Sequence, residues 1–186
     1  MRLFKPRTRR ATEALEISLI LTAIPFLVFM VDRFLGLGLL TLGIIPRTWR
    51  GLAGILFAPL LHFNLTHLVA NAFPLFTLLL ILFLDRRYRA EQTLAVIWII
   101  SGLGTWLIGR PAIHAGASSV IYGLVTYLIA SGYWMRSWRA GIVAALVFIF
   151  YGGIFYGVLP RDGFISWEGH LCGAISGLWI AREQHG

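Results

Sequence analysis

The sequence predicts an all-α membrane protein of six transmembrane helices with a long amphipathic first external loop, and three observations carry that prediction. Of the 186 residues, 58% are hydrophobic and 13% charged, and the mean hydropathy of +0.79 lies far from that of an ordinary soluble domain. Six apolar runs can be traced, at about residues 15–34, 66–84, 92–109, 118–134, 140–158 and 168–183. A helix needs about 20 apolar residues to cross the roughly 30 Å hydrocarbon layer. The breaks between runs are chemically plain: DRRYRAE at 85–91, GRPAIHAG at 109–116, RSWR at 136–139 and LPRDGFISW at 159–167.

Taken in order, residues 1–14 read as a short basic cytoplasmic N-terminus, 15–183 as the six-helix domain and 184–186 as a cytoplasmic tail. The first run lacks a small-residue cleavage pattern and reads as a retained span rather than a signal peptide. Residues 35–65 form the long connection to the second run. They are rich in Leu, Ile, Phe, Gly and Trp and interrupted by Pro46 and Pro59, unlike a polar linker. Short helices and turns half sunk in the outer membrane surface suit this composition, with Trp49 and Arg50 at the interface.

The net charge of +8 raises the question of nucleic acid, and its distribution answers it. Arg2, Lys5, Arg7, Arg9, Arg10, Arg86, Arg87, Arg89, Arg136, Arg139 and Arg182 all fall on one side of six alternating spans. Only Arg33, Arg47, Arg50, Arg110 and Arg161 fall on the other. By the positive-inside rule both termini are cytoplasmic, and topology explains the basic excess. The very short soluble ends suit a multi-pass protein of a bacterial cytoplasmic membrane. The single Cys172 excludes an intramolecular disulfide and a cysteine-built metal site, and nothing calls for a cofactor.

Polar side chains inside a span are costly and point to function. The second run opens with His67 and Asn71, preceded by His62 in HFNLTHLVAN; the fourth opens with Ser118, Ser119 and Tyr122; the sixth opens with His170 in EGHLCGAISG. These three spans all run from the outside inward, so Ser118, Tyr122, His67, Asn71 and His170 share one shallow layer. Asn71 lies about 6 Å deeper than His67 and on the same helix face. A serine and a histidine together are the minimum for nucleophilic acyl transfer. His67, Asn71 and the Ser118 N–H at a helix start supply donors for an oxyanion. Taken singly, a serine near a helix terminus is commonly a cap or packing residue; the shared depth is what favours chemistry.

Other hydrolytic chemistries fit less well. HExxH is absent, and Asp32, Asp85 and Asp162 stand at span ends or in loops. Glu168 is two residues from His170, on a different side of a helix. The residues read as a dyad rather than a triad.

On these residues the chain resembles the rhomboid intramembrane serine proteases over 15–183. The motifs are G-x-S at Gly116, Ala117 and Ser118, H-x-x-G-x-x-x-G at His170, Gly173 and Gly177, H-x-x-x-N at His67 and Asn71, and the pair Trp49–Arg50. The resemblance implies Ser118 as nucleophile, His170 as general base, and an oxyanion site from His67, Asn71 and the Ser118 amide. It also implies that Tyr122 stacks on the histidine and that His62 helps hold the first loop. Gly173 and Gly177 form a GxxxG stripe that lets two helix backbones approach. The departure is Ser119, where the family usually has glycine. Ser119 is also a rival nucleophile, but it points about 100° away from Ser118 around the helix.

The expected partners are transmembrane protein substrates and the lipid bilayer, not nucleic acid. Substrates would enter laterally from lipid, with aromatic residues of the fifth span as a gate. Two non-enzyme readings compete. A catalytically inactive relative that binds membrane clients would usually lack the serine or the histidine. A channel would spread polar residues through the full depth or repeat broken helices in two halves.

Overall fold

The computed structural model describes residues 11–160 and 165–186, and every extended element of regular structure among them is helical. Seven α-helices follow in order: α1 Ala11–Leu35, α2 Trp49–Phe57, α3 Leu65–Leu84, α4 Ala90–Ile108, α5 Ser118–Trp134, α6 Trp138–Tyr151 and α7 Trp167–His185. Short 3-10 turns occupy Leu39–Leu42, Ala58–Leu60, Arg86–Tyr88 and Gly152–Val158. The basic residues before Ala11, together with Arg161 and Asp162, lie outside the described residues.

All six apolar runs are helical, and the boundaries differ where local chemistry differs. α1 begins at Ala11, inside the stretch read as a terminus. α7 runs on to His185, because Gln184 bonds Thr93 Oγ1 at 3.1 Å and its Oε1 accepts from the Tyr127 hydroxyl at 2.7 Å. The fifth run is helical only to Tyr151 and tightens into a 3-10 turn at Gly152, where the Gly152–Gly153 pair has low helix propensity.

Four helical stretches are long and apolar enough to cross a bilayer: Ala11–Leu35, Leu65–Leu84, Arg86–Ile108 and Trp138–Val158. α5 has 17 residues and α7 carries Glu168, His170, Arg182 and Glu183. α7 packs on α5 and α4 through one face and leaves Ile175, Leu178 and Trp179 exposed on the other. α5 packs against α3, α4, α6 and α7, and Val120, Leu124, Val125, Tyr127 and Leu128 are fully buried.

The α5–α7 contact is backbone to backbone. A Cβ on Gly173 would collide with the Ser119 carbonyl, and one on Gly177 with the Gly123 carbonyl. The Thr126 hydroxyl donates across the same seam to the Ala174 carbonyl at 2.9 Å. Small residues at such a stripe permit this close approach.

Residues 36–64 are folded onto the bundle. Their main chain forms an antiparallel bridge between Ile44 and His114, with both N–H···O distances 2.9 Å. Two indoles of α4 hold α2 and its flank: Trp106 donates to the Thr48 carbonyl at 2.9 Å and Trp98 to that of Ile55 at 3.0 Å. α2 buries Gly51, Gly54 and Ile55 and leaves Trp49 at 89% exposure.

The turn after α3 is closed by Asp85, whose carboxylate accepts from the Arg87 N–H at 2.9 Å and from its guanidinium. Partial burial alone would raise the Asp85 carboxyl pKa. Hydrogen bonds from Arg87 and the charges of Arg87 and Arg139 outweigh it and hold the carboxyl below its ordinary range. A depressed carboxyl stabilises the fold above the unfolded-state value and loses that contribution as pH falls through the folded value. Asp85→Asn is therefore expected to lower thermal stability slightly at pH 7, within the ~1 kcal/mol of a partly exposed pair. Thermal unfolding in detergent should show that difference vanishing below the carboxylate range of about pH 4; a difference that persists there contradicts the assignment.

Gly177→Val is expected to destabilise by about 1–3 kcal/mol or more through overpacking. Gly141→Ala, where an added Cβ meets nothing within 4 Å, is the control and should be neutral or better. Equal melting temperatures for the two variants would contradict the backbone-to-backbone seam.

Candidate active site

Ser118 is the first residue of α5, so its N–H has no acceptor within the helix. Gly116 leads into it with φ of 121°, a backbone region that a side chain disfavours. Its N–H donates to the Ala58 carbonyl at 2.9 Å, tying the chain to the turn after α2. A Cβ on Gly116 would also meet the His67 ring. His67 therefore lies against the main chain two residues before Ser118.

α3 starts under an Asn64 cap, whose side chain accepts from the His67 N–H at 2.8 Å. One turn on, buried Asn71 donates from Nδ2 to the His67 carbonyl at 2.7 Å. This bond sets the rotamer of the amide. His62 sits in the turn before α3 with its ring centroid 5.0 Å from that of His67, edge-on. It is 4% exposed, and neither ring nitrogen has a hydrogen-bond partner among the described residues. Burial, and then the neighbouring His67, push its pKa down to about 4, while the Leu60 main chain works the other way. His62 is thus neutral at physiological pH.

His170 lies in the first turn of α7, under a Ser166 cap that accepts from the Gly169 N–H at 3.2 Å. Its Nε2 stands 2.9 Å from Ser118 Oγ. Its Nδ1 stands 3.0 Å from the Gly157 carbonyl oxygen. A carbonyl can only accept, so the neutral ring carries its proton on Nδ1 and turns the Nε2 lone pair toward the serine hydroxyl. Tyr122, one turn after Ser118, stacks on the imidazole with centroids 4.0 Å apart and planes 10° apart. Tyr122 and His170 are both 8% exposed, so the ring is held on one face by an aromatic and on one edge by main chain.

Ser118, Tyr122 and His170 are thus brought together at the start of α5 and α7, with His67 and Asn71 on the neighbouring start of α3 against Gly116. Gly173 and Gly177 set the approach of the two central helices from below. Ser119 is half-buried, and its carbonyl faces Gly173. Glu168 does not reach His170; it pairs with Arg110 instead. One contributor went unread in the sequence: Gly157, whose carbonyl orients the imidazole and whose Cα lies so close to Tyr122 that a Cβ would collide with the phenol. A main-chain acceptor leaves no side-chain signature, and its trace in the sequence is the third glycine of GGIFYGVL.

The Rhomboid domain profile matches residues 46–183 of this chain. An uncharacterized protein of Mycobacterium tuberculosis is 40% identical over 168 residues, covering 86% of this chain and 70% of the relative. An uncharacterized protein of Mycobacterium leprae is 40% identical over 169 residues, covering 86% and 66%. A protein of Acanthamoeba polyphaga mimivirus that bears the name rhomboid protein is 32% identical over 123 residues, covering 63% and 66%.

The hydrogen bond to Gly157 makes a spectroscopic prediction. In protein labelled with 15N-histidine, His170 is expected in NMR spectra at neutral pH as the Nδ1–H tautomer. An Nε2–H tautomer would overturn the orientation.

Proposed function

The chain belongs to the rhomboid family, and from that premise we propose that it is an intramembrane serine endopeptidase, hydrolysing peptide bonds in or near transmembrane segments through a Ser118–His170 dyad. The observation that carries the reading is the Ser118 Oγ to His170 Nε2 distance of 2.9 Å, with the ring's opposite nitrogen held by a carbonyl. Hydroxyl and base are within proton-transfer reach, and the tautomer is the one a general base needs.

The proposed chemistry runs in two halves. Ser118 Oγ attacks the scissile carbonyl carbon as its proton passes to His170 Nε2. The tetrahedral oxyanion is met by the Ser118 N–H and by the side chains of His67 and Asn71, donors that act most strongly away from bulk water. The intermediate collapses, the C–N bond breaks, and His170 returns the proton to the leaving amine. Water then attacks the acyl-serine with His170 again taking the proton, releasing the acid and restoring the hydroxyl. Through both halves the imidazolium is stabilised by the Gly157 carbonyl dipole and the Tyr122 face rather than by a carboxylate.

In this reading all six apolar runs cross the membrane, with both termini in the cytoplasm as the arginine distribution favours. The site then lies a turn or two below the outer surface, where polar groups from three helix starts support a small wet cavity. Substrates would be transmembrane segments that unwind readily near the cut, because a helical carbonyl is already engaged in its own helix.

Purified protein is expected to cleave a fluorescent transmembrane reporter. Ser118→Ala and His170→Ala should each lose on the order of 10³-fold or more in kcat, while Ser119→Ala retains most activity. Loss confined to Ser119→Ala would reassign the nucleophile. A folded wild type that cuts no reporter and reacts with no serine-directed probe would favour an inactive client-binding relative.

A further inference from the structure

The connection from α4 to α5 carries two residues, Arg110 and His114, that belong to none of the site motifs. His114 is 5% exposed and both its nitrogens are engaged. Nε2 lies 3.1 Å from the Arg110 carbonyl and Nδ1 lies 2.6 Å from Ser166 Oγ. The carbonyl must accept, so Nε2 carries the proton and the Ser166 hydroxyl donates to Nδ1. That same hydroxyl caps α7 by accepting from the Gly169 N–H, and the Ser166 carbonyl accepts from the His170 N–H at 3.1 Å.

Arg110 makes a second link to the same helix turn. Its main-chain N–H donates to Glu168 Oε1 at 3.1 Å and its Nε lies 3.4 Å from that oxygen. Its guanidinium also donates to the Ile165 carbonyl. Glu168 is 2% exposed, with no partner for Oε2 among the described residues. The connection is itself anchored, since the His114 main chain pairs with Ile44.

We propose that His114 and Arg110 are positioning residues that hold the first turn of α7 so that His170 stands at hydrogen-bonding distance from Ser118. The spacing carries the inference. His114–Ser166 and Ser118–His170 are both pairs 52 residues apart, so the first bond repeats the second four residues earlier on each strand of the pair. Below the dyad, Gly173 and Gly177 set how closely α5 and α7 approach. Above it, these links add to the Gly157 and Tyr122 contacts of His170 in fixing the first turn of α7. His114 and Glu168 are buried, so a polar partner lost by either is not easily replaced.

The inference rests on the peptidase reading, and the test separates the two. Full-length wild type, His114→Ala, His114→Gln and Glu168→Gln are compared for kcat and KM on a transmembrane reporter, for the rate of labelling by a fluorophosphonate, and for melting temperature. His114→Ala is expected to lower kcat and labelling by the same factor, about 10–100-fold, as for a misplacement of about 1 Å, with KM within about twofold. His114→Gln, which can donate to the carbonyl and accept from the serine, should recover most of both.

Unchanged kcat and labelling in a folded His114→Ala variant, a loss seen only in KM, or no recovery in His114→Gln would each overturn the assignment while leaving the peptidase reading intact. If His114→Ala does not fold, Glu168→Gln decides: slower labelling at unchanged KM supports positioning, and unchanged labelling overturns it. A folded wild type that neither cuts nor labels removes the peptidase reading and this inference with it.

Discussion

The contact on which the rest of the site depends is the seam where α7 lies on α5 without side chains between them. Lipid gives helices no hydrophobic reason to associate, so the seam rests on van der Waals contact and interhelical hydrogen bonds. Gly173 and Gly177 present bare backbone to the carbonyls of Ser119 and Gly123, and Thr126 reaches over to the Ala174 carbonyl. At a wider separation, such as a valine would impose, the imidazole of His170 would stand too far from Ser118 Oγ for a hydrogen bond. The His170–Ser118 distance is therefore set by what is missing from two positions, about one and two turns below it.

A second constraint acts on how His170 is oriented. A carboxylate behind His170 would stabilise an imidazolium more strongly, but it would place an anion in a layer where charge is poorly solvated. The Gly157 carbonyl selects the same tautomer without that penalty. It also belongs to the 3-10 turn that follows α6, so His170 and the end of that helix are mechanically joined. Gly157 serves both partners of the aromatic stack, since a side chain there would displace Tyr122.

Much of this was legible in the sequence, and the unread part has a common cause. Helix positions followed from hydropathy, and Ser118, His170, His67 and Asn71 stood out because polar side chains in apolar runs are few. The docking of α2 was legible only as amphipathic composition; that Trp98 and Trp106 reach its carbonyls depends on a packing angle. Gly157 acts through main chain, and His114 and Ser166 sit in connections where polar residues are ordinary. α5 is shorter and α7 more polar than the four helical stretches long and apolar enough to cross a bilayer. α5 is packed by helices on several sides, and the one acid that α7 buries, Glu168, is paired with Arg110.

The same reasoning accounts for the departure at position 119. Glycine next to Ser118 would be needed if α7 pressed against the β-carbon of that residue. Here α7 presses against its carbonyl, and the residue that must lack a side chain is Gly173, on the facing helix. The steric demand of the seam is met from the α7 side, which leaves Ser119 half-buried beside it. A small residue at 119 is then compatible with the 2.9 Å approach of Ser118 to His170, whereas the same addition at 173 is not.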